Sequence, residues 1–390
     1  MRVLVNALFT VPKVQVGGVQ IVTEALLSHL AKVSNQLGIQ LFVLVSCTNA
    51  TYFRQILSNV EFVVWPFPTH NRFVRVAFEQ VACHWAVKRI HADVFYSSTG
   101  ALPFVPLPCR TVVYLQNIQI FHFSELYSRK ILGTSCLEWF LRYRAQDLYT
   151  RWACISSLKR ATEVIGVSRT MAFEAGKYTG VVRQRPIQVV SLGVSKAFRP
   201  DYSSPRPVHY PYVLSVSLVI PPKNYDACIK IFACLKHRYQ MPHFLYILGS
   251  GPHNYVQSLK SLANDLQVGD SVKFIGHVPH HVLPGWYQHA DAFILTSSCE
   301  SFGLPVIEAM ASGTPVLASN LSGLLETVGG AGIVEDPRKT ETFAAQLYRV
   351  LRDGGLRQRL RQQGLERASQ FSWDRSAEAT IHVMQKALYS

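Results

Sequence analysis

Two glutamates, Glu300 and Glu308, border a turn whose residue types suit a ligand that carries both hydroxyl groups and negative charge. Pro305 fits the first turn of a helix and Gly313 fits its end, so we predict a helix over residues 304–312. Backbone N–H groups at such a helix start attract phosphate, and carboxylates accept hydrogen bonds from hydroxyl groups. The pattern therefore favours a nucleoside-diphosphate sugar, with ribose, diphosphate and hexose in a row. A plain joint between helix and buried strand, common in α/β proteins, is the alternative.

Two further stretches have residue types that suit phosphate. Lys223 and Asn224 follow a double proline and precede a predicted helix, where a cation could reach a diphosphate. Gly17 and Gly18 lie between a predicted strand and a predicted helix, and glycine lets the backbone approach a phosphate closely. Taken alone, the Lys223–Asn224 stretch is more typical of protein surface, and the glycine pair is nearly as typical of an ordinary turn between strand and helix.

The order of predicted elements indicates two α/β domains. Apolar strands alternate with helical patterns on both sides of residues 201–211, a proline-rich segment without apolar periodicity that we interpret as a linker. Alternating elements predict parallel sheets, with ligands at the carboxyl ends of the strands.

Charge and composition narrow the class of protein. The chain has 390 residues and a net charge of +15, which suits nucleic acid, an anionic membrane or polyanionic substrates. No nucleic-acid-binding signature accompanies the charge, so membrane and substrate are the favoured explanations. The eight cysteines form no CxxC pair, and the histidines near residue 280 have no carboxylate at metal spacing, so no metal site is predicted. No long apolar run or signal sequence is recognised, so a cytoplasmic protein is expected.

The stretch from 299 to 319 resembles the signature of the family 4 retaining glycosyltransferases. The matching residues are Glu300, Phe302, Gly303, Pro305, Glu308, Ala309, Gly313, Pro315 and Val316. The resemblance implies the α/β GT-B fold, which has two Rossmann-like doubly wound domains, a cleft between them and a C-terminal helix that crosses back. We expect an N-terminal acceptor-binding domain over residues 1–200 with helix 374–390, and a donor-binding domain over 201–373.

The resemblance also implies roles for individual residues. Glu308 would bind ribose, Glu300 would bind the donor hexose, and Lys223 would hold the diphosphate. The further donor-binding residues that it implies are Gly17, Gly18, Ser217, Gly249, Gly276, His277, Val278, Phe302, Gly303 and Leu304.

The chain departs from the family pattern at two of these places. Gln116 stands where many relatives have a histidine close to the transferred sugar, and it cannot exchange a proton near neutral pH. Ser217 stands where an arginine often grips the diphosphate. A related subset of bacterial mannosyl- and rhamnosyltransferases lacks that arginine and is most similar to this chain.

The predicted activity is metal-independent, retaining transfer of a mannose-, rhamnose- or glucose-type hexose to a hydroxyl group. The donor is a nucleoside-diphosphate sugar, and no separate cofactor is expected. The acceptor is a glycan or a lipid-linked molecule, and an anionic membrane surface is a further expected partner. The alternatives are a basic membrane- or polyanion-binding protein of the same fold that has lost turnover, and a nucleotide-sugar epimerase.

Overall fold

The computed structural model describes residues 1–10, 18–69, 72–126, 145–179, 186–201, 203 and 205–390. Gly17, a predicted site residue, therefore lies outside the described residues. The sequence also predicts a long basic helix over residues 129–160, and the part of it before residue 145 lies outside the described residues as well. Two compact units are present. The first comprises Met1–Phe121, Ala145–Gly193 and Trp373–Ser390, and the second contains Val194–Ser372.

The first unit is built on a seven-stranded sheet in the order β3-β2-β1-β4-β5-β6-β7, with every pair parallel. Its strands are β1 Arg2–Asn6, β2 Gln40–Ser46, β3 Glu61–Trp65, β4 Val94–Ser97, β5 Arg110–Leu115, β6 Glu163–Gly166 and β7 Gln188–Val189. Its helices include α1 Gly18–Gln36, α2 Ala50–Ile56, α3 Arg72–Ile90, α5 Ala145–Arg160 and α6 Arg169–Thr179. Helix α4 Gln119–Leu126 begins in this unit, and its residues from His122 on are assigned to the second unit. Runs of buried residues along β1, β2 and β5 are typical of parallel strands covered on both faces.

The second unit is built on a six-stranded parallel sheet in the order β10-β9-β8-β11-β12-β13. Its strands are β8 Tyr212–Val216, β9 Phe244–Leu248, β10 Val272–Gly276, β11 Ala292–Leu295, β12 Val316–Ser319 and β13 Ile333–Glu335. Its helices are α7 Tyr225–Tyr239, α8 His253–Asp265, α9 Leu283–Gln288, α10 Leu304–Ala311, α11 Leu324–Val328, α12 Thr340–Arg352 and α13 Gly354–Ala368.

Alternate residues of these strands enter two separate cores. Val213 of β8 packs in a core with residues of α7, α8 and α12, whereas Leu214 packs in a core with residues of α9 and α10. Successive side chains of a strand point to opposite faces of the sheet, so helices on both faces bury every residue of the strand. This confirms the predicted doubly wound, Rossmann-like architecture.

The last helix, α14 Trp373–Leu388, belongs to the first unit although it follows the second in sequence. It packs on α1 and on the strands β4, β5 and β6. Ser376 Oγ donates to the carbonyl of Ser191 at 2.6 Å, and Lys32 Nζ lies 3.2 Å from the carboxylate of Asp374. The C-terminal helix expected to return to the N-terminal domain is therefore present.

In each sheet the order in which strands are added reverses at one place, which we call the strand reversal. In the first unit β1 lies beside β4, and in the second β8 lies beside β11, so the connections leave toward opposite sides at these pairs. The crevice outside the carboxyl ends of two such strands is the usual ligand site of an open parallel sheet. In the second unit, the residues that follow β8 and β11 are those singled out in the sequence.

Candidate active site

An ion pair joins the two loops at the strand reversal of the second unit. Lys223, in the loop after β8, donates from Nζ to Oε1 of Glu300, in the loop after β11. The two side chains are only 13% and 11% exposed. Ser297 Oγ donates to the same carboxylate oxygen at 3.0 Å. A cation and a carboxylate are thus held side by side where a parallel sheet of this type binds its ligand.

The backbone around Lys223 is fixed by its neighbours. Pro221–Lys223 form one 3-10 turn, and Asn224 follows in the left-handed conformation with φ 52°. Thr296 Oγ1 donates to the carbonyl of Asn224 at 2.9 Å, and Ser298 N–H donates to the carbonyl of Pro222 at 2.9 Å. The loop after β11 therefore sets the position from which the lysine side chain extends.

Two glycines after β9 allow the β8 and β9 loops to touch. A Cβ atom at Gly249 would lie 1.8 Å from the carbonyl oxygen of Ser217, and one at Gly251 would lie 1.8 Å from that of Val219. In place of side chains there are backbone hydrogen bonds, such as Val219 N–H to the carbonyl of Ser250 at 2.9 Å. Only glycine permits this approach, since no real Cβ atom comes so close to a backbone oxygen.

Ser217 and the residues after β10 complete this edge. The hydroxyl of Ser217 is hydrogen-bonded to that of Tyr225 at 2.7 Å. Gly249 N–H donates to the carbonyl of Gly276 at 2.8 Å, which ties the end of β10 to the end of β9. Beyond it His277 is exposed and Val278 is half-buried. The predicted residues on three separate strand ends are thus brought to one edge of the sheet.

Helix α10 starts at this edge as the sequence predicts. Gly303 precedes it with φ 93°, Leu304 is its first residue, and Pro305 lies in its first turn. Phe302 is 3% exposed and packs edge-on against Phe371, with ring centroids 5.4 Å apart. The buried ring anchors the loop, so the N–H groups of the first helical turn are presented at a fixed place.

Glu308 lies in α10 and is bound through both of its oxygens. Oε1 is 2.9 Å from Nε2 of His280, and Oε2 accepts a hydrogen bond from the hydroxyl of Tyr287 at 3.0 Å. Burial, and then the Glu308 charge, raise the pKa of Tyr287 well above its usual range, so that hydroxyl stays a donor. Phe198 packs edge-on against His280 and Tyr287. The carboxylate is therefore held ready to accept hydroxyl hydrogens on its remaining lone pairs.

His280, Tyr287 and Ser297 were missed as site residues by sequence reasoning. Ser297 could have been noticed because it lies close to Glu300 in the chain. The sequence suggests His280 only as a candidate metal ligand, and nothing in the sequence marks Tyr287 as a site residue. No sequence spacing connects either of them to Glu308, because the contact depends on how α9 packs against α10.

The first unit carries its own polar cluster, at the end of β5. Gln116 donates from Nε2 to the carbonyl of Ser98 at 2.9 Å and to Thr23 Oγ1 at 3.4 Å. Its Oε1 and the hydroxyl of Ser98 are buried and have no hydrogen-bond partner among the residues that the structure describes. Gly18 begins α1 and is exposed. An unpaired buried acceptor is costly, and a polar ligand or water is what commonly offsets that cost.

Within the described ranges, no group of three or more histidine, cysteine, aspartate or glutamate side chains could hold a metal ion. Across the same part of the chain, no helix is long and apolar enough to span a bilayer.

Comparison with known proteins gives the family of the second unit. Residues 201–367 match the family model described as "Glycosyl transferases group 1". This segment is a group 1 glycosyltransferase domain. It contains Lys223, Glu300, Glu308 and the loops described above, so the predicted family resemblance is confirmed.

Relatives of the group 1 domain are found among bacterial enzymes. The chain is 40% identical over 111 residues to O-antigen chain mannosyltransferase B of Escherichia coli, covering 28% of this chain and 29% of that protein. It is 24% identical over 363 residues to serotype-specific mannosyltransferase WbdA of Escherichia coli, covering 87% of this chain and 43% of the relative. The chain thus spans less than half the length of each of these relatives.

A solved structure, that of Anabaena HepE in complex with UDP and glucose, matches 99% of this chain and all of the other. The TM-score is 0.73 at 19% sequence identity. The chain has the GT-B fold, as predicted.

Proposed function

We propose that this protein is a retaining, metal-independent hexosyltransferase. It moves a hexose from a nucleoside-diphosphate sugar to a hydroxyl group of a glycan or lipid-linked acceptor, in the synthesis of a polysaccharide or glycolipid. The observation that carries the proposal is the buried pair of Lys223 and Glu300 at the strand reversal of a group 1 glycosyltransferase domain. HepE, which shares the fold, was solved with UDP and glucose bound.

Lys223 and the start of α10 bind the donor diphosphate in this proposal. Negative charge grows on the diphosphate as it leaves the sugar, and a fixed cation with oriented N–H groups stabilises that charge without rearrangement. The lysine is already fixed by its pair with Glu300 and by the turn that precedes it. The N–H groups are those near Phe302, Gly303 and Leu304.

The two glutamates bind the two sugars of the donor. Glu308 accepts hydrogen bonds from the ribose hydroxyls, and its orientation is maintained by His280 and Tyr287. Glu300 accepts hydrogen bonds from hydroxyls of the hexose next to the diphosphate. The backbone of residues 276–278, at the end of β10, lies against the base, and Gly249 and Ser217 lie beside the diphosphate.

The reaction proceeds without a covalent enzyme intermediate. The acceptor oxygen forms its bond to the anomeric carbon on the face from which the diphosphate departs. The carbon–oxygen bond to the diphosphate breaks, and the acceptor proton passes to the departing phosphate oxygen. The amide of Gln116, which has a buried unpaired oxygen, orients a sugar hydroxyl and transfers no proton. Gly17 and Gly18 bind the acceptor or the diphosphate.

Mannose is the first hexose to test. Two bacterial relatives are named as mannosyltransferases, and one of them aligns with 87% of this chain. Rhamnose and glucose donors come next.

An exposed aromatic surface supports the further proposal that the protein binds peripherally to the cytoplasmic face of a membrane. In the first unit the Phe104 ring lies beside those of Tyr149 and Trp152, with centroids 6.3 Å and 5.2 Å away, and Trp152 is 57% exposed. Arg160 donates to the carbonyls of residues 103 and 104, so a cation lies at the edge of this aromatic patch. Aromatic side chains beside arginine, in a chain with net charge +15, suit an anionic membrane surface.

A binding screen followed by a transfer assay tests the proposal. UDP, GDP and dTDP and their mannose, glucose and rhamnose conjugates are compared for their effect on Tm. A ligand at a hundred times its Kd stabilises the native state by about 2.7 kcal/mol. The best donor is then incubated, radiolabelled, with lipid-linked glycan acceptors.

Two variants control the screen. Lys223→Met is expected to lose both the Tm response and transfer, whereas Lys260→Met, which changes an exposed lysine of α8, is expected to lose neither. A protein that binds no nucleoside diphosphate, or a Lys223→Met variant that transfers as well as the native chain, would contradict the proposal. Conversion of the donor sugar without an acceptor would indicate an epimerase instead.

A further inference from the structure

A strongly basic cavity of about 360 Å³ lies within the group 1 domain, in addition to the candidate active site. Three arginines line it, Arg206, Arg357 and Arg361, together with Gln288, Asp291 and Gly354. Small-molecule sites in proteins occupy about 300–1,000 Å³, so the cavity has room for a small ligand.

This cavity is at the opposite edge of the sheet from the donor site. Asp291, which lines the cavity, directly precedes β11, whereas Glu300 follows the carboxyl end of the same strand. A strand rises about 3.3 Å per residue, so the length of β11 separates the two places. The cavity is therefore not part of the donor site described above.

Two of the three guanidinium groups are held by the backbone. Arg361 donates from Nε to the carbonyl of Gly313 at 2.9 Å. Arg357 donates from Nη1 to the carbonyl of Leu351 at 3.3 Å. A guanidinium group held through one nitrogen keeps a fixed plane, which suits paired hydrogen bonds to phosphate oxygens. Arg206 is exposed and comes from the segment before β8.

Asp291 lines the cavity, but its carboxylate is hydrogen-bonded to the backbone of strand β8. Oδ2 accepts a hydrogen bond from Tyr212 N–H at 3.1 Å and lies 3.6 Å from Nε2 of His243. Burial lowers the pKa of His243, and this favours the neutral ring. Three arginines against one aspartate leave a surplus of two positive charges, which matches a dianion.

The walls add polar groups to these charges. Gln288 is 4% exposed and accepts a hydrogen bond from Asp201 N–H at 3.3 Å. Gly354, the first residue of α13, also lines the cavity, but the start of that helix is already capped, because Leu356 N–H donates to the carboxylate of Asp353 at 2.9 Å. The buried amide and the three guanidinium groups are therefore the part of the lining that suits a phosphate.

We propose that this cavity is a second anion site, which binds a phosphate or diphosphate group independently of the sugar donor. The group belongs either to a free phosphorylated metabolite or to the head group of a phospholipid. The shared chemistry is a compact dianion that arginine binds in bidentate fashion.

Calorimetry with inorganic pyrophosphate on the full chain tests this. The double variant Arg206→Gln/Arg357→Gln is expected to bind pyrophosphate at least tenfold more weakly at the cavity. Its affinity for the nucleoside diphosphate that binds best should be unchanged. Arg359→Gln is the matched control, because Arg359 is exposed on the same helix and does not line the cavity. Lys223→Met should show the reverse pattern, with weaker nucleoside-diphosphate binding and an intact pyrophosphate site.

The single variant Arg206→Gln changes one exposed side chain, so it is not expected to misfold. It should weaken pyrophosphate binding even without the Arg357 change, and it should leave nucleoside-diphosphate binding unchanged. Retention on vesicles of phosphatidylglycerol and phosphatidylcholine assigns the source of the phosphate. Retention that falls with the double variant indicates a lipid head group, and unchanged retention with weaker pyrophosphate binding indicates a free metabolite. Pyrophosphate binding that is equal in native, double-variant and Arg359→Gln proteins overturns the proposal. So does an equal loss in Arg359→Gln.

Discussion

Lys223 and Glu300 form an ion pair across two loops, and neither side chain is more than 13% exposed. Removal of two such charges from water costs several kcal/mol, which their mutual attraction and further hydrogen bonds must offset. The pair is therefore expensive to keep if it serves stability alone. It also places a cation within the residues expected to meet a diphosphate. Stability and donor binding can be separated by changing the partners one at a time.

Lys223→Met alone should lower the free energy of unfolding by about 3 kcal/mol, because it leaves the Glu300 carboxylate buried without its cation. The double variant Lys223→Met/Glu300→Gln should recover most of that loss. Transfer should stay low in both, by a factor that corresponds to about 2–4 kcal/mol. Urea denaturation and kcat/KM measure the two effects. Recovery of kcat/KM in the double variant would show that the lysine acts only on stability.

Tyr287→Phe should weaken nucleoside-diphosphate binding about tenfold. The change removes the hydroxyl that donates to Glu308 Oε2, and a hydrogen bond to a charged group is worth about 1.5–3 kcal/mol. Titration calorimetry measures the affinity. Tyr255→Phe is the matched control, because its hydroxyl donates to Asp226 at 2.8 Å and is not part of the proposed site. Equal losses in the two variants would indicate a general effect of tyrosine removal.

Gln116→His should add an ionisation to the pH profile of kcat. Glutamine has no group that titrates near neutral pH, whereas histidine has an ordinary pKa of about 6.5. The ratio of variant to native kcat is therefore expected to change between about pH 5.5 and 7.5. Asn117→His places the same ring on the adjacent exposed residue and should leave that ratio flat. A flat ratio for both variants would remove Gln116 from the reaction.

Trp152→Ser should reduce retention on anionic vesicles at least tenfold. Burial of a large apolar side chain in the interface is worth about 2 kcal/mol, and Trp152 is 57% exposed in the folded chain. Added salt should release the native protein, because charge attraction is screened. Tyr210→Ser is the control, since Tyr210 is 59% exposed but belongs to the second unit. Retention that ignores both Trp152 and salt would contradict docking through this aromatic patch.

The architecture and much of the site follow from local sequence patterns. Pro305 and Gly313 bracket α10 as predicted, with Gly313 in the left-handed conformation at φ 74° after the helix end. Such signals are strong because they depend on one residue's own backbone freedom. The alternating β and α elements predict both parallel sheets for another reason, namely the apolar periodicity along each segment.

Patterns that depend on packing were harder to interpret. Helical spacing in the sequence predicts that Val74, Phe78, Val81 and Trp85 form one apolar stripe of α3, but Val81 is 58% exposed. Among the side chains of that helix that the structure describes, those of Ala82, Cys83, Ala86 and Val87 are at most 2% exposed. Small residues fit against a sheet where a wider stripe does not, and periodicity alone does not distinguish the two faces.

The contacts of Glu308 show the same limit at the site. Its position in α10 was predicted, but His280 and Tyr287 reach it from a turn and a helix that the chain forms earlier. The basic cavity also combines residues from distant segments, so it has no sequence signature.

The close approach of Gly249 and Gly251 to the β8 loop determines which substitutions that loop tolerates. The contact is between main-chain atoms of the β8 and β9 loops, so it does not depend on which side chains occupy the neighbouring positions. The side chain at position 217 can therefore differ without altering this contact between the two main chains. A single methyl group at either glycine, in contrast, would force the two loops apart.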